Sequence, residues 1–338
     1  METVNSTNKT RKPVVTLLCN GKDASKDFSK YLRELTFNEF EDEQSDELTL
    51  TLNNNDGYFS DLWYPNKGDK LSVTIQYGED VFEPGAFTID ENSFNWGLSG
   101  DTIEIKALAT STNFSVRTQK IKNWSGYTLN KIAEIIGKQY GFKVLGNTGN
   151  VKIGVIVQKN ESDIAFLKRI SKLYGYIFNI KDGYLTFTLL SDLESGEALF
   201  TLSKSSDIES LSLNDTVTKI YGKAKVQYLD LKSKTVKTYT AVGNTEITDT
   251  LTVYKRCSSL SEAKIVAQSA LKNSSREVTG RIQPSRPNKL FMAGVNFDLT
   301  GIGKHEGKYH IKSHTLKIDE SAKLSQEGEI SKCLNSAQ

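Results

Sequence analysis

Histidine, cysteine, methionine and proline are all scarce in this chain, and each shortage removes a class of function. Cys19, Cys257 and Cys333 lie far apart and never in C-x-x-C spacing. That favours free thiols in a reducing compartment over a disulfide framework or a zinc knuckle. The histidines are His305, His310 and His314, all within one candidate hairpin. With Cys333 they are the metal-ligand set the sequence offers, but His305 and His310 face opposite ways on a continuous strand unless a turn near Gly307 resets them. They are read as surface histidines, and no metal or cofactor is expected. No run approaches the roughly 18 apolar residues of a membrane span. The opening METVNSTNKTRKP has no apolar stretch of the kind a secretory signal needs. Charge of one sign is also missing: 43 Lys and Arg against 41 Asp and Glu leave a net +2. A dedicated nucleic-acid binder would show a concentrated basic face; the balance here argues against one and is compatible with a channel past which DNA merely travels.

Catalytic signatures are missing as well. No serine stands in a G-x-S-x-G elbow. Gly301-x-Gly303-x-x-x-Gly307 misses the dinucleotide and phosphate-loop spacings and falls between strands, where glycines serve turns. Paired carboxylates stay open in so acidic a chain, but no pair is flanked by the apolar residues that would raise one of the two pKa values. Asp90-Glu91 sits at a strand end, where exposure is the default. Trp63, Trp96 and Trp124 are scattered, which suits separate core or interface anchors better than a sugar-stacking platform. The sequons at Asn113 and Asn273 carry no meaning without export.

What is present is β-structure in quantity. The 338 residues give room for two or three domains, and 14 Tyr and 15 Phe supply bulky core material. Val15 and Leu17, then Leu35 and Phe37, Leu48 to Leu52, Leu71 to Ile75, Phe87 and Ile89, and Ile103 and Ile105 all alternate with polar residues, with turn residues between them. The signature resumes near Thr216, with strands expected over 220–228, 235–240, 277–282, 295–299, 309–318 and 327–331. Leu129, Ile132, Ala133 and Ile136 form a helical stripe ended by Gly141. A second helix, capped by Asn160 or Ser162, carries Ile164, Leu167, Ile170 and Leu173 to Gly175. A hairpin turning at Asp182-Gly183 follows it. Ser259-Leu260-Ser261-Glu262 is a capping box that opens a third helix. The fold class is therefore a β-rich α+β chain: two β-barrel-like domains with a small helix-containing α+β insert between them. The expected division is a flexible arm over 1–13, a first β-barrel domain over 14–110, the insert over 111–200, a second β-barrel domain with one helix over 201–332, and a tail over 333–338.

The order of these stretches carries a resemblance. Glu161-Ser162-Asp163, Phe166-Leu167, Arg169-Ile170 and Gly175, followed by an aromatic-rich hairpin, resemble the ESD-x-x-FL-x-R-(L/I)-x-x-x-x-G stretch of phage tail baseplate hub proteins of the late-control D type. The hub part of type VI secretion spike proteins shares that module. LTFNEFEDEQSDELTLTLNNNDGYFSD resembles the first-domain pattern of the family, with Asp46, Leu48, Leu50, Leu52, Asp56 and Gly57 at matching places. The helix SSLSEAKIVAQSALK and the strands after it resemble the closing domain, so the likeness runs over about residues 14–331.

The resemblance implies a structural hub and not an enzyme. It implies a homotrimer that joins a six-fold tail tube to a three-fold spike in the virion tail baseplate, assembled in the bacterial cytoplasm. Its partners would be tail tube protein, spike protein and baseplate wedge proteins, with DNA at most passing through the lumen. Phe40, Asp46, Asp56, Gly57 and Trp63 are the candidate subunit, tube or spike contacts, and Glu41-Asp42-Glu43 reads as a solvated loop or one face of such a contact. The competing reading is a cell-wall-degrading tail-tip enzyme, a glycoside hydrolase or peptidase. Against it, the residues after the last expected strand are few, so no fused hydrolase is expected. The same module serves contractile and non-contractile tails.

One pattern comes from the residues alone. Gly68 followed by Leu71, Val73 and Ile75 matches Gly294 followed by Phe297 and Leu299. Gly85-Ala86-Phe87-Thr88-Ile89-Asp90 matches Gly307-Lys308-Tyr309-His310-Ile311-Lys312. The two β regions, 14–109 and 216–331, are therefore expected to be copies.

Overall fold

The structure, a computed structural model, describes residues 12–42, 45–109, 118–146, 148–149, 152–181, 183–216, 220–274 and 278–333. The expected arm and tail fall almost wholly outside this range, as do Glu43, Asn113, the linker after Thr110 with Arg117, and the turn residue Asp182.

The first β unit holds β1 (Val14–Cys19), β2 (Lys22–Asp23), β3 (Leu32–Phe40), β4 (Glu47–Asn53), β5 (Lys70–Tyr77), β6 (Asp80–Asn95) and β7 (Thr102–Leu108). Strict alternation puts Leu48, Leu50 and Leu52 on one face, where they bury against Leu35, Phe37, Ile103 and Ile105. Asn20 and Gly21 both take positive φ in the tight turn between β1 and β2, as that dipeptide favours. A short helix, α1 (Ser25–Tyr31), follows and sets Phe28 into the same core.

Next comes the helical module. It has β8 (Lys120–Asn123), α2 (Leu129–Tyr140), β9 (Lys143–Leu145), β10 (Val157–Glu161), α3 (Asp163–Leu173), β11 (Tyr176–Lys181), β12 (Tyr184–Leu189) and α4 (Leu190–Ser195). Thr128 caps α2 by accepting from the Lys131 N–H at 3.2 Å, and Gly141 ends it in the left-handed conformation. Ser162, rather than Asn160, caps α3, accepting from the Ala165 N–H. Asn160 instead takes a positive φ at a bulge between β10 and β8.

The second β unit holds β13 (Thr201–Ser203), β14 (Ile208–Asp215), β18 (Val278–Pro284), β19 (Asn296–Thr300), β20 (Gly307–Ile318) and β21 (Leu324–Lys332). Between β14 and β18 the chain makes an excursion through β15 (Lys223–Asp230), β16 (Thr235–Val242), β17 (Thr250–Cys257) and α5 (Leu260–Ser274). That excursion does not join the second β unit. Ala224, Val226, Ala241, Ala263, Val266 and Leu271 share one core with Trp124, Ile132, Phe166, Ile170 and Phe187 of the module. The helix expected to serve the closing β domain thus packs with the insert, because its apolar stripe meets β15–β17 and α3.

The two β units are copies in hydrogen-bond register. Leu71 faces Phe87 and Val73 faces Gly85, as Phe297 faces Tyr309 and Leu299 faces Gly307. The Gly68 N–H donates to Ile89 O and the Ile89 N–H to Asp69 O; the Gly294 N–H donates to Ile311 O and the Ile311 N–H to Val295 O. Each long strand has its bulge at the same place, between Ile89 and Glu91 in β6 and between Ile311 and Ser313 in β20. A second bulge repeats between Leu32 and Glu34 in β3 and between Ile208 and Ser210 in β14. The copy therefore comprises β3–β7 against β14 and β18–β21, starting at β14 and interrupted by the excursion, rather than running unbroken over 216–331. The first strand differs: β1 pairs β5 antiparallel, whereas β13 pairs β19 parallel.

The units share one sheet, ordered β14-β18-β21-β20-β3-β4-β7-β6-β5-β1-β2. Among the described residues neither unit closes into a barrel, because the outer edge of β14 and the C-terminal half of β6 pair on one side only.

Two side-chain sites fix the module. Asp163 is buried and accepts from Lys120, from Tyr140 Oη at 2.7 Å and from Gln158 Nε2 at 2.8 Å. Glu262 is fully buried and accepts from Tyr174 Oη at 2.7 Å, Gly154 N–H at 3.1 Å and Ser258 N–H at 2.7 Å, with Lys255 Nζ 3.2 Å away. Half of the expected capping box forms: the Glu262 N–H donates to Ser259 Oγ at 3.2 Å, but the Glu262 carboxylate reaches back to the Ser258 N–H rather than to that of Ser259. Burial pushes the Glu262 carboxyl up, but the Ser258 N–H, Tyr174, Lys255 and the Gly154 N–H together hold it below the usual range.

Glu262→Ala is expected to cost about 3–5 kcal/mol, the cost of stranding a buried partner charge. Because the folded carboxyl titrates below the unfolded one, its contribution is present above about pH 4.3 and is lost as pH falls through the folded value. Urea melts should show the gap between wild type and Glu262→Gln narrowing from pH 5 towards pH 3; a constant gap would show that the charge contributes nothing. Gly175, at φ 81°, faces Ser269 of α5, and an added Cβ would run into that side chain. Gly175→Ala should destabilise by more than about 1 kcal/mol in the same assay; a neutral result would mean the α3–α5 contact is not close in solution.

Candidate assembly surfaces

The candidate contact residues fall at opposite ends of the sheet. Phe40 and Asp46 flank the turn between β3 and β4. Asp46 is buried, and its Oδ1 accepts from the Phe40 N–H at 3.1 Å while its carbonyl accepts from the Ala109 N–H at 2.9 Å. Phe40 O accepts from Asn179 Nδ2 at 3.1 Å, and Asp42 Oδ1 accepts from the Phe178 N–H at 3.4 Å. This turn is thus the seat of the helical module within the chain. A polar cleft of about 720 Å³ opens beside it, lined by Phe40, Glu41, Lys172, Tyr176, Arg281 and Glu329.

Asp56, Gly57 and Trp63 lie on the loop after β4, at the other end. Asp56 Oδ2 accepts from Tyr31 Oη at 2.7 Å and Oδ1 from the Tyr58 N–H at 3.2 Å. The Tyr31 hydroxyl, then the Tyr58 N–H, hold this exposed carboxyl below its ordinary range. Gly57 turns at φ 71°. Trp63 stands edge-on to Phe28 and Phe59, with ring centroids 5.0 Å and 5.8 Å apart. Half of each contact is therefore internal: this group braces the loop with aromatic packing and leaves Asp56 outside.

The tryptophans separate as anchors. Trp124 is buried, stacked on Phe166, and donates to Gln158 Oε1 at 3.0 Å. Trp96, the first residue after β6, is 70 % exposed. It completes a ladder of stacked rings, Tyr64 on Phe94 and Phe94 on Trp96. Sequence reasoning missed Tyr64 and Phe94; a run of aromatics at alternate positions beside a turn was the available signal.

The histidines need correcting. His310 and His314 are buried, not on the surface. His310 Nδ1 lies 2.7 Å from Asn296 Oδ1 and Nε2 lies 2.6 Å from Glu41 Oε1. His314 Nε2 accepts from Gln326 Nε2 at 3.0 Å, and its Nδ1 is 3.6 Å from Glu39 Oε2. They are buried because β20 has partners along both edges, so side chains that a two-stranded hairpin would expose are covered by β3 and the loops around it. Among the described residues no three His, Cys, Asp or Glu side chains gather as a metal site would require. The buried carboxylates of Asp163 and Glu262 have protein partners.

No protein-family model matches the chain. It is 25 % identical over 206 residues to a probable baseplate hub protein of Escherichia phage 186, a match covering 60 % of this chain and 50 % of the relative. A probable baseplate hub protein of Escherichia phage P2 is 26 % identical over 178 residues, covering 52 % and 45 %. The chain thus spans about half the length of the curated relatives it matches. Among solved structures, the 43 kDa tail protein of prophage MuSo2 from Shewanella oneidensis superposes with a TM-score of 0.69 at 16 % identity, covering 95 % of this chain and 98 % of that one. A component of the type VI secretion system of E. coli gives 0.56 at 10 % identity, over 90 % and 74 %. The resemblance read from the sequence holds: the chain is similar to phage baseplate hub proteins, and it has the fold of phage tail and type VI secretion spike-like proteins.

Proposed function

We propose that this chain is a structural baseplate hub, a homotrimer that joins a six-fold tail tube to a three-fold spike. The observation that carries the reading is the register repeat of the two β units. Two like units per chain make six in a trimer, so a six-fold tube meets six similar surfaces and the symmetry mismatch is absorbed inside each chain. The sequence relatives are probable baseplate hub proteins, which supports the same place in a virion tail baseplate or tail-like particle. Partners on this reading are tube, spike and wedge proteins. The Asp56–Trp63 loop is one contact surface and the β3–β4 turn, with the module it carries, is the other. The role is mechanical, with no bond made or broken, and the lumen passes DNA without holding it, because each neutralised phosphate would add affinity that must be undone as the strand moves.

Light scattering at micromolar concentration, with spike protein present, is expected to show three hub chains per complex, as cyclic closure requires; a single chain there would overturn the reading. Purified protein should give neither a lytic zone in a peptidoglycan zymogram nor a salt-sensitive gel shift of duplex DNA. A lytic zone would replace the hub by the cell-wall-degrading enzyme, and a steep salt-dependent shift would replace the passive lumen.

A further inference from the structure

The repeat leaves one junction unused. Within the chain the units meet where β20 pairs β3: Ile318 faces Leu35, Lys317 faces Thr36, Leu316 faces Phe37, Thr315 faces Asn38 and His314 faces Glu39. The matched registers carry β20 onto β6 and β3 onto β14. Ile318 and Leu316 then correspond to Trp96 and Phe94, and Leu35 and Phe37 to Leu211 and Leu213. We propose that the C-terminal half of β6 pairs antiparallel with the outer edge of β14 in a second copy of this chain. The register is Trp96 with Leu211, Asn95 with Ser212, Phe94 with Leu213, Ser93 with Asn214 and Asn92 with Asp215. The proposal rests on the hub reading, since it needs a homo-oligomer, and it supplies the contact that builds one.

Burial separates the made junction from the unmade one. Leu35, Phe37, Leu316 and Ile318 are buried where β20 and β3 meet. Their counterparts are uncovered: Trp96 is 70 % exposed, and Phe94, Leu211 and Leu213 are only half-buried. Among the described residues β14 pairs only β18, and β6 beyond Thr88 pairs only β7. An uncovered strand edge beside a stacked aromatic ladder is an aggregation hazard unless a partner seals it.

The polar pairs also correspond. Thr315 Oγ1 donates to Asn38 Oδ1 at 2.8 Å within the chain, and the counterparts Ser93 and Asn214 again offer a hydroxyl and an amide. Lys317 pairs Glu34 at 2.9 Å, whereas their counterparts Asn95 and Ser210 are both neutral, so neither charge of the pair is left stranded. Asn92 Oδ1 is buried with no hydrogen-bond partner, at the position matching His314. The contact is head-to-tail, and such contacts form rings when the rotation closes.

Disulfide trapping tests it. Directly opposed residues of an antiparallel pair stand about 4.5–5.5 Å apart at Cα, within reach of a disulfide. Cys19, half-buried, is first replaced by Ser; Cys257 and Cys333 are buried. Burial, then the Glu262 carboxylate, pushes the Cys257 thiol up to about 12. Mild oxidation of Ser93→Cys/Asn214→Cys, with spike protein present, should give covalent multimers on a non-reducing gel. Mixing the two single variants should give linked dimers only, and Asn95→Cys/Asn214→Cys, out of register, should give little product. Trp96→Lys, at an exposed position, should shift light scattering towards single chains. An oligomer that fails to cross-link in register overturns the strand junction and leaves the hub reading standing. A single chain under every condition overturns both. A cross-link from Ser93→Cys to tube protein in assembled particles, in place of a second hub chain, also overturns the junction.

Discussion

A change of partner halfway along β20 is the constraint on which the rest depends. Up to His310 this strand pairs β19, from Ser313 it pairs β3, and from Tyr309 to Ile318 the other edge pairs β21. The bulge between Ile311 and Ser313 re-aims the strand, as an extra residue does in an antiparallel pair. Because one continuous strand belongs to both units, they cannot move apart without breaking the sheet. The buried polar residues tie the same place. His310 lies between Asn296 and Glu41, which sits just beyond the end of β3, and His314 lies between Gln326 and Glu39 of β3. Leaving a buried group without its bonded partner costs about 1–3 kcal/mol, so the His310–Glu41 bond at 2.6 Å and the Ala293 N–H bond to Glu39 at 3.1 Å hold the units in one relative pose alongside apolar burial.

The sequence motif that carries the family resemblance proves to be a latch. Arg169 pairs with Glu161 at 2.6 Å, Ser162 caps α3, and Asp163 reaches Lys120, Tyr140 and Gln158. Phe166, Leu167 and Ile170 fill the core beneath. Arg169 and Asp163 thus tie α3 to β10, β8 and α2 through side-chain bonds, while Ser162 closes the start of the helix itself.

Local signals in the sequence were strong enough to place most elements. Alternation at Leu48 to Leu52 and the paired glycines at 68, 85, 294 and 307 are local, and they read correctly down to the repeat. Helix α5 was legible as a helix, from its capping box, but not as part of the module. Its stripe of Ala263, Val266 and Ala267 fits any flat apolar sheet, and only the fold selects β15–β17. Helices α1 and α4 were missed because each is too short to show a period. The histidines were misread because hairpin pairing is visible in a sequence, whereas the arrival of β3 from almost three hundred residues away is not. Of the candidate contacts, Asp46 is buried and braces the β3–β4 turn, and Trp96, one of the separate core or interface anchors legible in the sequence, stands in an exposed aromatic ladder that only the fold assembles.

The ends of the shared sheet are unlike, and the difference bears on the hub reading. Both excursions, the module after β7 and the segment between β14 and β18, leave from the end where Leu108 faces Glu47 and Asp215 faces Val278. They merge there into one body with one core. The other end carries matched loops in both units: those after Asn53 and Asn95 in the first, and those after Pro284 and Ile318 in the second. Each chain therefore shows a single feature at one end and a doubled feature at the other. In the proposed trimer the first end counts three and the second counts six. On that proposal the symmetry change needs no conformational difference between subunits, because both insertions of the duplicated β unit lie on the same side.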